Sequence, residues 1–142
     1  KEITAMHIVV RTSLPDNPLF IDGNAEQLGK TIMSLLNNGM YAIAKKYGKK
    51  AYPAEIGLAL ESKDGQAVIR LYDNGVGIEQ SILDKIFDPF FTTKTTGEAA
   101  GIGLYLSKEI ILNHHGQIAV RSEKDELTEF TITLPLWEEK SV

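Results

Sequence analysis

Gln66-Ala67-Val68-Ile69-Arg70-Leu71-Tyr72-Asp73-Asn74-Gly75-Val76-Gly77-Ile78 runs from a strand pattern straight into a glycine turn. Ile69, Leu71 and Asp73 share one face at the strand period of two, and two of the three are apolar. A carboxylate at the end of a core-facing row is costly unless it finds a partner. The edge of a flat base carrying an exocyclic amine is one such partner, and Gly75 and Gly77 would let the backbone pass close to a ring. Taken alone, Asn74-Gly75 also reads as an ordinary hairpin turn.

Outward from this strand the pattern is regular. Glu55 to Glu61 reads as its partner, joined through Asp64-Gly65, a strong hairpin turn signal. Upstream, Met6 to Val10 alternates as a strand, Leu14 to Pro18 breaks it, and Leu19-Phe20-Ile21 reads as a short second strand. Asp22-Gly23-Asn24 opens a long helix whose apolar face carries Leu28, Ile32, Leu35 or Leu36, Gly39 and Ile43. Downstream, Ser81 to Phe87 reads as a short helix, Thr92 to Gly101 as a loop, and Ile102 to Leu112 as a second long helix. Ile118 to Ser122 and Thr128 to Leu134 form a closing strand pair. This order implies an α/β (α+β) two-layer sandwich: a mixed, mostly antiparallel sheet with helices on one face.

Bulk composition narrows the class. The 142 residues suit one domain, read here as residues 1–142. At 43% hydrophobic and 24% charged residues the chain can bury a core and is not disordered. A net charge of −4 without a basic face gives no reason to expect nucleic acid. The absence of cysteine excludes disulfides and thiolate metal sites and suits a reducing compartment. No apolar run is long enough to span a bilayer and no signal peptide is visible, so direct membrane contact is not expected. The chain begins inside a strand pattern and reads as an excised fragment. A cytoplasmic location is expected for it, with membrane anchoring of a longer parent left open.

Three further sites carry polar groups in telling places. Thr128 shares a face of the last strand with Phe130, Ile132 and Leu134, and so aims a hydroxyl inward; an ordinary buried Thr bonded to a carbonyl would look the same. Ser34, Asn38, Tyr41 and Lys45 fall at i, i+4, i+7 and i+11 on the first helix. Such a stripe is usually a solvated face, but Asn37-Asn38-Gly39 is a poor mid-helix choice by propensity. An amide oxygen there suits Mg²⁺ that bridges substrate phosphates. Gly97-Glu98-Ala99-Ala100-Gly101-Ile102-Gly103-Leu104 is a glycine-rich run into a helix start, whose free backbone N–H groups can hold an anion such as triphosphate.

In this order the pieces resemble the catalytic and ATP-binding domain of sensor histidine kinases, a member of the Bergerat-fold superfamily with gyrase, the heat-shock chaperone ATPase and the mismatch-repair ATPase. The likeness runs from Met6 to Leu136. Leu35-Leu36-Asn37-Asn38-Gly39 resembles the N box, Asp73 to Ile78 the G1 box, and Gly101-Ile102-Gly103-Leu104 the G2 box. Phe87-Asp88-Pro89-Phe90-Phe91-Thr92-Thr93-Lys94 resembles the F box, which is typical of histidine kinases and not of the other branches.

The resemblance implies roles. Asp73 would bind the adenine amine, with Thr128 assisting through water, and Asn38 would hold Mg²⁺. Tyr41, Ala42, Gly75, Gly77 and Ile78 would line the ATP site. Phe91 to Ala100, with Thr92 and Thr93, would form a lid, while Lys94 and the backbone of Gly101, Ile102 and Gly103 would face the phosphates beside Leu104. Ser34, Asn38 and Lys94 would be the catalytic positions. The γ-phosphoryl would pass to a histidine on a separate dimerisation domain, absent from this chain, and indirectly to a response regulator. Departures from the family pattern are Ser34 where Asn, or Glu in ATPase branches, is usual; Gly39 for Ala; Ala99-Ala100 for Gly-Thr; and Leu127 for Gly. Ser34 cannot act as a carboxylate base towards water, which argues against a gyrase-like ATPase. It also supports an alternative: a degenerate nucleotide-binding sensor or docking module without phosphotransfer. A serine kinase of the anti-sigma type fits the long F box less well.

Overall fold

A computed structural model describes residues 8–48, 53–89, 91 and 103–138. Among these residues five strands form one mixed sheet: β1 (Val9–Ser13), β2 (Glu55–Lys63), β3 (Gln66–Asp73), β4 (Gln117–Glu123) and β5 (Leu127–Pro135), in the spatial order β1-β2-β3-β5-β4. Only β1 pairs in parallel, with β2; the other neighbours are antiparallel. Helices α1 (Ala25–Tyr47), α2 (Gln80–Leu83) and α3 (Gly103–Asn113) lie on one side of it, so the two-layer sandwich expected from the sequence is the fold.

Turn chemistry sets the register. Asp64 and Gly65 both have positive φ (53° and 78°), the signature of the type I′ turn whose twist matches a two-residue hairpin. That turn places Leu58 opposite Leu71, and Ile56 opposite Asp73. On the other side of β3, Leu71 meets Phe130, Ile69 meets Ile132, and Asp73 meets Thr128. The inner rows of three strands therefore converge on one core, built around Leu35, Leu71, Ile86, Leu104, Ile111, Phe130, Ile132 and Leu134. Phe87 closes onto Phe130 edge-to-face, with ring centroids 6.3 Å apart.

Helix α1 is capped by Asn24, whose side chain accepts from the Gln27 N–H at 2.9 Å. It buries Thr31, Leu35, Gly39 and Ile43, one residue per turn. Helix α3 ends in a Schellman motif: Gly116 N–H donates to Ile111 O and His115 N–H to Leu112 O, with His115 left-handed at φ 64°. Beside it, the His114 ring joins the two helices. Nε2 accepts from the Asn24 backbone N–H at 3.0 Å, and Nδ1 lies 2.7 Å from Ile110 O. A backbone N–H only donates and a carbonyl only accepts, so the proton sits on Nδ1.

Some boundaries differ from the sequence reading. The first strand is Val9–Ser13 and not Met6–Val10; Met6 and His7 lie outside the described residues. Leu19-Phe20-Ile21 is not a strand. Pro15 and Pro18 remove two donors nearby, and one backbone bond, Trp137 N–H to Phe20 O, takes the place of a ladder. The helix expected over Ser81–Phe87 is limited to Gln80–Leu83. Beyond it, Lys85 bonds back to Ile82 and Asp88 to Lys85, so the segment proceeds as three-residue turns and not as an α-helix. The second long helix begins at Gly103; Ile102 and the loop expected over Thr92–Gly101 lie outside the described residues.

Candidate functional site

Asp73 ends β3 on the inner face and is only 6% exposed. Its Oδ1 accepts the Gly75 N–H at 2.9 Å. Burial pushes its carboxyl up to about 6, against the lowering effects of that N–H and of the Lys46 charge. The remaining oxygen, Oδ2, faces Gly39 of α1: a Cβ built there would sit 3.3 Å from it.

The turn after Asp73 is held from outside. Asn74 accepts the Glu55 N–H on its side-chain oxygen and donates its amide to Pro53 O. Its backbone carbonyl takes the Tyr47 hydroxyl and the Lys46 ammonium, and Lys46 also donates to Asp125 O at 2.5 Å. Val76 N–H reaches Ala42 O, and Val76 O accepts from Asp125 N–H. Both glycines of the turn also meet close neighbours within the chain. A Cβ on Gly75 would lie 2.5 Å from the Ala42 backbone, and one on Gly77, whose φ is 73°, would lie 2.3 Å from Glu123 O. The contacts that demand glycine at these positions are thus with helix α1 and the β4–β5 turn.

Above Asp73 opens a cavity of about 400 Å³, within the range of small-molecule and cofactor sites. Helix α1 supplies Asn38, Tyr41, Ala42 and Lys45 to its wall; the glycine turn supplies Asp73, Val76, Gly77 and Ile78. Lys124 and Asp125 of the β4–β5 turn form a rim, with Thr128 and Phe130 behind them. Ile82, Ile86, Phe91 and Leu104 complete an apolar floor. The sequence reading of Asp73, Asn38, Tyr41, Ala42, Gly77, Ile78, Phe91, Leu104 and Thr128 as neighbours therefore corresponds to one cavity. Ser34 is half-buried on α1 and is not among the walls. It sits one helical turn, roughly 6 Å, below Asn38, where the cavity has ended. Gly75 is buried against α1 and is also absent from the walls. Thr92, Thr93, Lys94, Gly101 and Ile102 lie outside the described residues, and Gly103 opens α3.

Two contributors escaped the sequence reading. Lys46 ties the glycine turn to the β4–β5 turn through the Asn74 and Asp125 carbonyls. Ser122, 2% exposed, lies opposite Thr128 in the ladder, with its Oγ 2.9 Å from Thr128 Oγ1. It shares an inner face with Ile118 and Val120 at period two, the same signal that picked out Thr128.

Among the described residues no group of three or more His, Cys, Asp or Glu could hold a metal alone. The cavity offers the Asn38 amide, a donor that suits Mg²⁺ arriving with phosphate oxygens.

Comparison with known proteins places this geometry. The chain is 39% identical over 122 residues to the signal transduction histidine-protein kinase AtoS of Escherichia coli (strain K12), covering 85% of this chain and 19% of that protein. It is 34% identical over 123 residues to sporulation kinase D of Bacillus subtilis (strain 168), covering 87% of this chain and 22% of the relative. The chain thus spans about a fifth of the length of these curated relatives. In fold it is similar to the nucleotide-free catalytic domain of histidine kinase ThkA, with a TM-score of 0.74 at 23% identity over 90% of this chain and 78% of that one. The mycobacterial sensor histidine kinase MprB matches with a TM-score of 0.74 at 24% identity, over 91% of this chain and 84% of that one. Residues 23–138 match the family model described as histidine kinase-, DNA gyrase B-, and HSP90-like ATPase, and the chain belongs to this ATP-binding family.

Proposed function

We propose that this chain is the catalytic domain of a two-component sensor histidine kinase, acting as one domain over residues 1–142. It binds Mg·ATP and donates the γ-phosphoryl group to a histidine on a separate phosphoacceptor and dimerisation domain of the parent kinase. From there the group passes to a response regulator. The observation that carries the reading is the buried Asp73 carboxylate facing a cavity whose other wall is the Asn38 helix. In this site Asp73 accepts from the adenine amine, and Asn38 holds the Mg²⁺ that neutralises phosphate charge. Lys94 and the backbone of residues 101–103 meet the phosphates, by resemblance to the family. The chain's share of the catalysis is positioning and charge neutralisation, because the nucleophile belongs to the partner. No helix among the described residues is long and apolar enough to cross a membrane; the domain is proposed to work on the cytoplasmic side of whatever anchors its parent.

Incubating the parent kinase with γ-labelled ATP tests this. Acid-labile label on a histidine outside this chain is expected, and the isolated chain should label an added dimerisation domain in trans. Acid-stable label, or stable label on this chain alone, would assign the roles differently.

A further inference from the structure

The Ser122 hydroxyl sits at the centre of three hydrogen bonds. It accepts the Ile78 backbone N–H at 2.8 Å, lies 2.8 Å from Leu127 O, and lies 2.9 Å from Thr128 Oγ1. A serine has one proton and two lone pairs. The Leu127 carbonyl can only accept, and the Ile78 N–H can only donate. All three contacts are satisfied in one arrangement: the Ser122 proton goes to Leu127 O, and its second lone pair accepts the proton of Thr128. Ser122 is 2% exposed and Thr128 5%, so an unmade bond at either hydroxyl would not be replaced freely by solvent.

The consequence falls on the cavity. With its proton committed to Ser122, Thr128 turns only lone pairs towards the ligand. Thr128 lies opposite Asp73 in the β3–β5 ladder, and both line the cavity. The end of the cavity at this register pair therefore presents two acceptors side by side, the Asp73 carboxylate and the Thr128 hydroxyl oxygen. We infer that Ser122 is a positioning residue for nucleotide selection: by fixing the direction of the Thr128 hydroxyl it makes the site accept a base with an exocyclic amine and refuse one with an exocyclic carbonyl. Ser122 is not itself among the cavity walls, so it acts through Thr128. The inference rests on the proposed reading of the cavity as an adenine site.

Titrating the chain with ADP and with IDP in chelator isolates the base, since neither phosphate count nor metal differs between them. Wild type should prefer ADP. Ser122→Ala frees the Thr128 proton to meet the IDP carbonyl, so the preference should fall about tenfold, the size of one exchanged hydrogen bond. Loosening of the Ile78 turn weakens both nucleotides alike and leaves their ratio unmoved. Ser122→Thr keeps the hydroxyl and should restore the preference. In a Thr128→Val background, Ser122→Ala should leave the ratio unchanged. Ser122→Cys, close in size, carries the same test if the alanine variant does not fold. A ratio that stays at the wild-type value in Ser122→Ala or Ser122→Cys, while Asp73→Ala abolishes ADP binding, overturns the role of Ser122 and leaves the adenine site standing. Wild type that binds neither nucleotide overturns both.

Discussion

Replacing Asp73 by asparagine should stabilise the ligand-free domain at neutral pH. Asp73 is buried, and its carboxyl is pushed from 3.8 up to about 6, desolvation being the largest cause. A raised folded-state pKa means that the folded chain holds the proton more tightly than the unfolded chain does. The stabilisation is thus fully present below 3.8 and is lost as pH rises through about 6. The rise from 3.8 to about 6 corresponds to roughly 3 kcal/mol, of which about 2 kcal/mol lies between about pH 4.5 and pH 7.5. Asparagine keeps an oxygen for the Gly75 N–H and has no charge to desolvate. Glu55 and Glu61, whose carboxyls are held low by Tyr72 and by Arg70 respectively, act in the opposite direction as pH falls. They are present in both proteins and cancel. Urea unfolding of wild type and Asp73→Asn at the two pH values therefore isolates the charge. The stability difference, variant minus wild type, should be about 2 kcal/mol more favourable at pH 7.5 than at pH 4.5. An identical difference at both pH values would refute the desolvation argument, whatever its absolute size.

Other substitutions test other parts of the structure. Asn38→Ala should weaken Mg·ATP by roughly tenfold or more and metal-free ADP far less, because in the proposed function the side chain acts through the ion; calorimetry with and without Mg²⁺ reads this, and equal losses would make Asn38 structural only. His115→Gly should raise stability by about 0.5–1 kcal/mol, since His115 is exposed and occupies the left-handed position of the α3 Schellman motif; a fall in the thermal midpoint would show that the His115 side chain carries a contact of its own. Gly57→Ala should cost about 1–3 kcal/mol, because the new Cβ would lie 1.8 Å from the Tyr72 ring that crosses it. Displacing that ring also breaks the Tyr72 hydroxyl bond to Glu55, so Gly57→Ala should cost less in a Tyr72→Ala background, and equal costs in the two backgrounds would discount the ring contact.

Period two carried most of what the sequence disclosed about the site. It put Asp73 behind Ile69 and Leu71, and Thr128 ahead of Phe130, on inward rows that the register then brings face to face. The same period marks Ser122, but a lone serine before a charged turn reads equally well as a strand end, and its importance lies in a partner one strand away. Helical spacing grouped Ser34 with Asn38, Tyr41 and Lys45. Spacing gives a face and not a length, and the cavity covers only the upper turns of that face. Glycines were found where they matter, for a reason that needed neighbours to see: Gly75 yields to Ala42, and Gly77 to Glu123. Leu19-Phe20-Ile21 shows the converse limit. Its residues suit a strand, but strand formation needs a ladder, and among the described residues the one backbone bond to it comes from Trp137.

The placement of Lys46 shows how the fold keeps a buried carboxylate available. A cation paired directly with Asp73 would relieve its burial but would also occupy the oxygen that the proposed function assigns to a ligand amine. Instead the Lys46 ammonium is spent on two backbone carbonyls, Asn74 O and Asp125 O, which ties the glycine turn to the β4–β5 turn. Its field still lowers the Asp73 pKa, though by less than burial raises it. The turn gains its rigidity from bonds around Asp73: the Asn74 amide on β2 and Pro53, the Tyr47 hydroxyl, and the Val76 exchange with Ala42 and Asp125. Among the described residues Asp73 itself accepts one N–H, from Gly75. The carboxylate is thus held in place by a network that does not neutralise it, and under the proposed function an amine-bearing ligand would recover the resulting destabilisation of the empty domain on binding.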